Sequence, residues 1–318
     1  MQKPTHHQPL TSSQARTLPE HLDGHSSRYH LWRSEQLQQQ AQLQQFQPGF
    51  HPLDDQINSA HNRAQFETMC QQVQDSGFTL YEWTTNSDNA RARECALHQY
   101  LGLIDADTGV ISGTDNLSLL EDKTGTRTSR FIPYSNRAMN WHTDGYYNAV
   151  DQQVRCFSLY CIEQAASGGA LTLMKNELLL IALYDTNPEW VTELTHPQAM
   201  LLPGNTDDEG HHRPDRSAPV LSAFSDGTLN TRFTTRTRNI HWHSAAVKAA
   251  AESATRLITD STHWHTQVRL EQNQGIITRN MLHRREAFID EQPQARRQIL
   301  RGRYSSLPQV EAHQPQSS

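Results

Sequence analysis

The run Ala138-Met139-Asn140-Trp141-His142-Thr143-Asp144-Gly145-Tyr146-Tyr147 sets a histidine and a carboxylate two residues apart in an aromatic-rich, strand-like stretch. In an extended chain residues i and i+2 face the same way, so His142 and Asp144 can ligate one metal ion together. The pair is two-thirds of the 2-His-1-carboxylate triad that holds non-haem Fe(II) and leaves coordination positions open for substrate and oxygen. The third ligand has to come from far along the chain. The candidate is His283, which ends the apolar run from Gly275 to Leu282 and precedes the basic pair Arg284-Arg285.

With 18 histidines among 318 residues, a His-x-Asp triplet alone is a weak signal. A second copy, His21-Leu22-Asp23, lies in a polar stretch with Pro and Ser and no apolar periodicity, and serves as an internal control. The later copy differs by its context, because a metal site needs rigid strands and an apolar surround. The competing reading is a hydrogen-bonded core His–Asp pair. His241-Trp242-His243 and His263-Trp264-His265 share the i, i+2 spacing but have no carboxylate in the same strand, and are read as ordinary surface or core histidines.

These residues need elements to position them. Residues 1 to about 27 read as a disordered leader. Tyr29 to Phe46 is a Gln-rich candidate surface helix with a thin apolar face, so the folded part is expected to begin near residue 50. Helices are predicted over 58–75 and 88–102, with the alternating strand Phe78 to Trp83 between them. A polar loop fills much of 105–130 and leads into the His142 strand; a loop that long is more often an active-site cover than a linker. Val154 to Ile162 reads as a buried central strand, and the turn Ala166-Ser167-Gly168-Gly169 hands over to another, Ala170 to Met174. Helices follow at 176–195 and 244–259, with an Asp226-Gly227 hairpin between them. Strands are predicted at about 264–270, 275–282 and 299–304, and the tail from Ser305 is expected to be loose.

Short strands with Gly-rich turns, plus a few helices in insertions, favour a mainly β fold with peripheral helices: a double-stranded β-helix, the cupin-like jelly-roll. The chain has no GxGxxG, no Walker loop and no internal repeat. A net charge of −6 and a pI near 6.3 argue against a generic nucleic-acid binder. There is no run of about 18 apolar residues and no signal-peptide hydrophobic region, so no membrane partner is expected and the expected compartment is cytoplasmic. The four cysteines, Cys70, Cys95, Cys156 and Cys161, lack Cys-x-x-Cys spacing and read as buried free thiols.

Taken in order, Trp141-His142-Thr143-Asp144-Gly145-Tyr146, Gly168-Gly169-x-x-Thr172, Leu282-His283-x-Arg285 and a downstream Arg-x-x-x-Arg resemble the Fe(II)/2-oxoglutarate-dependent dioxygenases of the taurine dioxygenase (TauD/TfdA) and gamma-butyrobetaine hydroxylase type. The likeness spans roughly residues 75 to 304. It implies a leader over 1–50, a jelly-roll dioxygenase domain over 51–304 and a flexible tail over 305–318. It also implies Fe(II) held by His142, Asp144 and His283, with 2-oxoglutarate chelating the metal and O2 as the oxidant. The co-substrate's distal carboxylate needs a guanidinium fork and usually a hydroxyl. The resemblance places Arg297 and Thr172 in those roles, and Arg301 at the position that holds an anionic substrate group. Trp141, Tyr146 and Tyr147 are candidates for the substrate pocket, as faces for a cationic group, or else plain core.

The implied reaction is hydroxylation of an unactivated C–H bond of a small-molecule substrate with release of succinate and CO2. A carboxylate at Asp144 leaves no place for a halide, which favours hydroxylation over halogenation. The chain departs from the family in Arg279-Asn280, where Asp-Asn is common, in His283-Arg284-Arg285, where His-Gly-Arg is common, and in the longer gap from His283 to Arg297. A non-redox metal-dependent jelly-roll enzyme and a small-molecule-binding jelly-roll are the alternatives. Whether the chain forms a homo-oligomer is not legible at this level.

Overall fold

The computed structural model describes residues 18–46, 48–86, 89–104, 115–123, 125–126, 131–206, 212–291 and 296–310. Two sheets carry the architecture. The larger is built from β1 (Phe50–Leu53), β2 (Phe78–Trp83), β3 (Ser118–Leu120), β5 (Cys156–Glu163), β8 (Gln274–Arg279) and β10 (Gln298–Tyr304), in the order β1-β2-β8-β5-β10-β3. The smaller holds β4 (Met139–His142), β6 (Leu171–Met174), β7 (Thr266–Val268) and β9 (Leu282–Arg285), in the order β7-β6-β9-β4. Apart from the parallel β1–β2 pair, every pairing in these sheets is antiparallel. Strands distant in sequence lie side by side, as a double-stranded β-helix requires, and the expected jelly-roll is what the chain adopts.

The strand β5 is buried on both faces, which is why it reads as an almost unbroken apolar run. Cys156 and Tyr160 join the core beneath the helices α2 (Ala60–Ser76) and α3 (Ala90–Tyr100), while Phe157 belongs to the core between the sheets. A separate core lies under α4 (Asn176–Thr186), α5 (Glu189–Leu194) and α6 (Ala245–Asp260). The helix starts follow capping chemistry. Ser59 accepts from Asn62 N at 3.0 Å and Ser244 from Val247 N at 3.1 Å, each satisfying a backbone donor left free at its helix N-terminus. All four cysteines are free.

Two expectations need correction. The folded chain does not wait for residue 50. The helix α1 (Ser27–Gln45) is docked, with Tyr29 edge-on to Tyr184 at 5.0 Å and Leu22 fully in the core. Part of its anchoring is polar: Arg33 to Asp185 at 2.6 Å, and Lys175 Nζ to Gln39 Oε1 at 3.0 Å. Such pairwise contacts leave no trace in hydrophobic periodicity, so the helix reads as loose. At the other end, residues 305–310 pack back on the core through Leu307 and Val310, and Gln309 N donates to Leu101 O at 3.0 Å. The leader before residue 18, most of the 105–130 loop, and the tail beyond residue 310 lie outside the described residues. No helix among the described residues is long and apolar enough to cross a membrane.

Candidate metal centre

His142 ends β4, and Asp144 follows in the turn that leaves it. His283 stands directly opposite His142 in the β9–β4 ladder, and their ring centroids are 4.2 Å apart. Each of the three residues offers a ligand atom, all within 4.8 Å of one another, and all three side chains are buried. No other group of three His, Cys, Asp or Glu among the described residues does so.

The backbone prepares both imidazoles. His142 Nδ1 lies 2.8 Å from Asn140 O and His283 Nδ1 2.8 Å from Met281 O. A carbonyl only accepts, so each Nδ1 carries the proton and each Nε2 keeps its lone pair for a metal. Burial, with His142 alongside, pushes the His283 pKa down to about 3, which keeps that ligand neutral. Burial alone would raise the Asp144 carboxyl, but Arg301, then His142, His283 and Arg303, hold it well below the usual carboxylate range. Its Oδ1 is 3.7 Å from His142 Nε2 and its Oδ2 is 3.9 Å from Arg301 Nη1. Two neutral nitrogens and one carboxylate form a donor set suited to Fe(II).

Asp144 is held by a residue that sequence reasoning did not assign a role. Asn280 Oδ1 accepts from Asp144 N at 2.7 Å, and Asn280 Nδ2 donates to Asp144 O at 2.8 Å and Val154 O at 2.9 Å. The side-chain amide thus pairs with the Asp144 peptide as a neighbouring strand would. Thr143, fully buried, adds two bonds to the Phe233 backbone, at 3.0 and 3.1 Å. Gly145 then turns the chain at φ +67°, where a Cβ would sit 2.7 Å from Val154. Asn280→Ala is expected to keep the fold but to weaken metal binding by about tenfold to a hundredfold, the usual scale for residues that orient a ligand. Titration of wild type and variant with Co(II), followed by the d–d absorption, checks this.

The cavity beside these residues lies between the two sheets and opens to solvent. Phe157, Leu159, Ile299 and Arg301 line it from the larger sheet; Met139, Leu171, His283 and Arg285 line it from the smaller. Arg269 and Arg297 close it, leaving four arginines against one carboxylate, Asp144. The charge of this cavity suits anionic ligands.

Of the sequence-derived candidates, His142, Asp144 and His283 converge, and Arg297 and Arg301 line the same cavity. Thr172 does not join them. In the β6–β9 register His283 faces Leu173 and Arg285 faces Leu171, so the cavity face of β6 carries leucines; Thr172 pairs with Arg284 on the opposite face. Trp141 is a core residue as well. It alternates with His142 and packs away from the cavity against His265, ring centroids 4.8 Å apart, and beneath the Arg284 guanidinium. Tyr146 and Tyr147 lie in the turn past Asp144, edge-on to each other at 5.3 Å, and neither lines the cavity; Tyr147 accepts a hydrogen bond from Arg303 at 2.7 Å. The competing histidines are used elsewhere: His243 stacks on His196 at 3.8 Å, and His265 Nε2 donates to Ile258 O at 2.8 Å.

The family description "Taurine catabolism dioxygenase TauD, TfdA family" matches residues 85–304. No curated protein matches the chain at the level of sequence. Among solved structures, the chain is similar to asparagine oxygenase in complex with Fe(II), 2S,3S-3-hydroxyasparagine and succinate. There the TM-score is 0.57 at 14% identity, over 86% of this chain and 90% of that one. It is also similar to the non-heme iron oxygenase OrfP in complex with Fe and alpha-ketoglutaric acid, with TM-score 0.56 at 11% identity over 77% and 80% of the two chains. A taurine dioxygenase from Burkholderia xenovorans gives TM-score 0.51 at 11% identity over 81% and 88%. At these identities the likeness concerns the fold.

Proposed function

The chain belongs to the TauD/TfdA dioxygenase family, it is a 2-oxoglutarate-dependent non-haem iron dioxygenase that uses Fe(II) and O2, and from that premise we propose that it hydroxylates an unactivated C–H bond of a small anionic molecule. In the balanced reaction substrate, 2-oxoglutarate and O2 give hydroxylated product, succinate and CO2. The observation that carries the site assignment is the convergence of three buried ligand atoms within 4.8 Å, in a cavity that also presents Arg297 and Arg301.

In this reading His142, Asp144 and His283 hold the iron, which supplies the oxidising chemistry once 2-oxoglutarate and O2 are bound. The protein's own work is placement. Arg297, buried and lining the cavity, binds the distal carboxylate of 2-oxoglutarate. Arg301, beside Asp144, directs an anionic group of the substrate so that its reacting carbon lies near the metal. Phe157, Leu159 and Ile299 keep water from that carbon. The asparagine oxygenase complex holds an amino acid, 2S,3S-3-hydroxyasparagine, and a substrate with a carboxylate for Arg301 is of that kind.

The test is an anaerobic titration of the purified protein with Fe(II) and then 2-oxoglutarate. A weak visible charge-transfer band of the chelated keto acid is expected, and succinate release then serves to screen candidate acids. A folded, iron-loaded protein that gives no band would overturn the reading.

A further inference from the structure

The chain crosses from β8 in the larger sheet to β9 in the smaller through Asn280 and Met281, and both of these residues orient metal ligands. The Asn280 side chain pairs with the Asp144 peptide, and the Met281 carbonyl accepts from His283 Nδ1 at 2.8 Å. The entry to the crossing is fixed by backbone: Arg279 N donates to Gly77 O at 2.8 Å and Asn280 N to Arg155 O at 2.9 Å. Its exit is fixed by a side chain. Asn176, the buried first residue of α4, donates from Nδ2 to Asn280 O at 3.0 Å and accepts at Oδ1 from Leu282 N at 3.0 Å. Leu282 N and Met281 O are the two edges of one planar peptide group. Asn176 thus holds one edge of the plane from which the His283 imidazole hangs by the other. Its neighbour Glu177 pairs with the Arg279 guanidinium at 2.8 Å, so the first turn of α4 grips both ends of the crossing.

We infer that Asn176 is a positioning residue for two of the three metal ligands: His283 through the Met281 carbonyl, and Asp144 through Asn280. This rests on the metal reading above. An aliphatic side chain at 176 would leave Asn280 O and Leu282 N without their partner, and buried backbone groups so deprived shift until they find another. The peptide plane between Met281 and Leu282 would then rotate. The hydrogen bond from Nδ1 is what sets the orientation of a ligating imidazole, so the His283 Nε2 lone pair would turn with that plane. Asn280 belongs to the same crossing and would carry its grip on the Asp144 peptide along with it.

The experiment reads the Co(II) dissociation constant, the d–d absorption and the thermal unfolding of the metal-free protein in wild type, Asn176→Ala and a matched control, Asn62→Ala. Asn62 is a clamp of the same kind on the outer side of the larger sheet. Fully buried in the first turn of α2, it accepts from Asp54 N at 2.9 Å and donates to Asp54 O at 2.8 Å. Both variants are expected to unfold at a lower temperature than wild type. Only Asn176→Ala should also shift the d–d band and weaken Co(II) binding, by about tenfold, the lower end of the scale for residues that orient a ligand. Where alanine at 176 prevents folding, Asn176→Ser, whose single hydroxyl cannot bridge both peptides, is expected to weaken Co(II) binding in the same direction. A folded Asn176 variant with the wild-type constant and spectrum, or an equal loss of affinity in Asn62→Ala, would overturn the inference and leave Asn176 a structural residue. Wild type that takes up no Co(II) would instead bring down the metal reading, and this inference with it.

Discussion

Asp144→Ala is expected to lose Fe(II) binding by more than a hundredfold and, with it, the charge-transfer band and all succinate release. Changes to residues that merely orient a metal ligand cost about tenfold to a hundredfold in affinity, so removal of the only anionic ligand has to exceed that. The surroundings sharpen the effect. Asp144 is 8% exposed and is the one carboxylate in a cavity with Arg269, Arg285, Arg297 and Arg301. Without it a divalent cation would enter a buried site of like charge, with two neutral imidazoles to hold it. The main chain at this point is fixed by Asn280, Thr143 and Gly145, so the variant should fold with an unchanged far-UV spectrum. Fe(II) titration followed by equilibrium dialysis provides the measurement. An alanine variant that retains wild-type iron affinity would show that the carboxylate is not a ligand.

Why the metal trio could be read from the sequence and the cavity wall could not is a question of range. His142 and Asp144 stand two positions apart, and extended backbone alone would set them on one side. His283 is flagged by the end of an apolar run and by the family resemblance. Its seat opposite His142 is a matter of ladder register between strands some 140 residues apart, which local pattern does not encode. Thr172 shows the cost of that ignorance. Whether Leu171 or Thr172 faces the arginines depends on how the Gly168-Gly169 turn enters β6, and both of those glycines have positive φ, +71° and +75°. A turn of that kind sets the parity of everything after it.

Two other residues were within reach of the same local rule. If His142 faces the cavity, its neighbour Trp141 faces away, and the structure places it in the helical core. If His283 faces the cavity, Arg285 does too, and it does. Asn280 is different in kind, because its role depends on the meeting of two loops, one after β4 and one before β9. The spacing Arg279-Asn280 registers only as a departure from a family pattern. The expected start of the fold failed for a further reason: α1 docks through a few apolar residues, Tyr29, Trp32, Leu37 and Leu43, in a Gln-rich sequence, helped by Arg33 and Gln39 through an ion pair and a hydrogen bond that hydropathy does not record.

Arg297→Ala is expected to raise the dissociation constant for 2-oxoglutarate by at least a hundredfold while leaving Fe(II) affinity nearly unchanged. Truncating one partner of a buried hydrogen-bonded charge pair costs about 2–5 kcal/mol, or some thirtyfold to several thousandfold. The structural case for the upper part of that range is that Arg297 is 8% exposed, stacked over Phe288, and confined by Gly169, so its fork is organised before the ligand arrives. Burial lowers the pKa of its guanidinium, and an incoming carboxylate reverses that penalty. Arg297→Lys should recover only part of the loss, since an ammonium cannot meet both carboxylate oxygens at once. The effect should fall on the co-substrate alone: 2-oxopentanoate, lacking the distal carboxylate, should bind wild type and Arg297→Ala alike. Were 2-oxoglutarate to bind Arg297→Ala with its wild-type constant, Arg297 would not be the carboxylate's anchor. The remaining cations of the cavity wall, Arg269, Arg285 and Arg301, would then be the ones to substitute next.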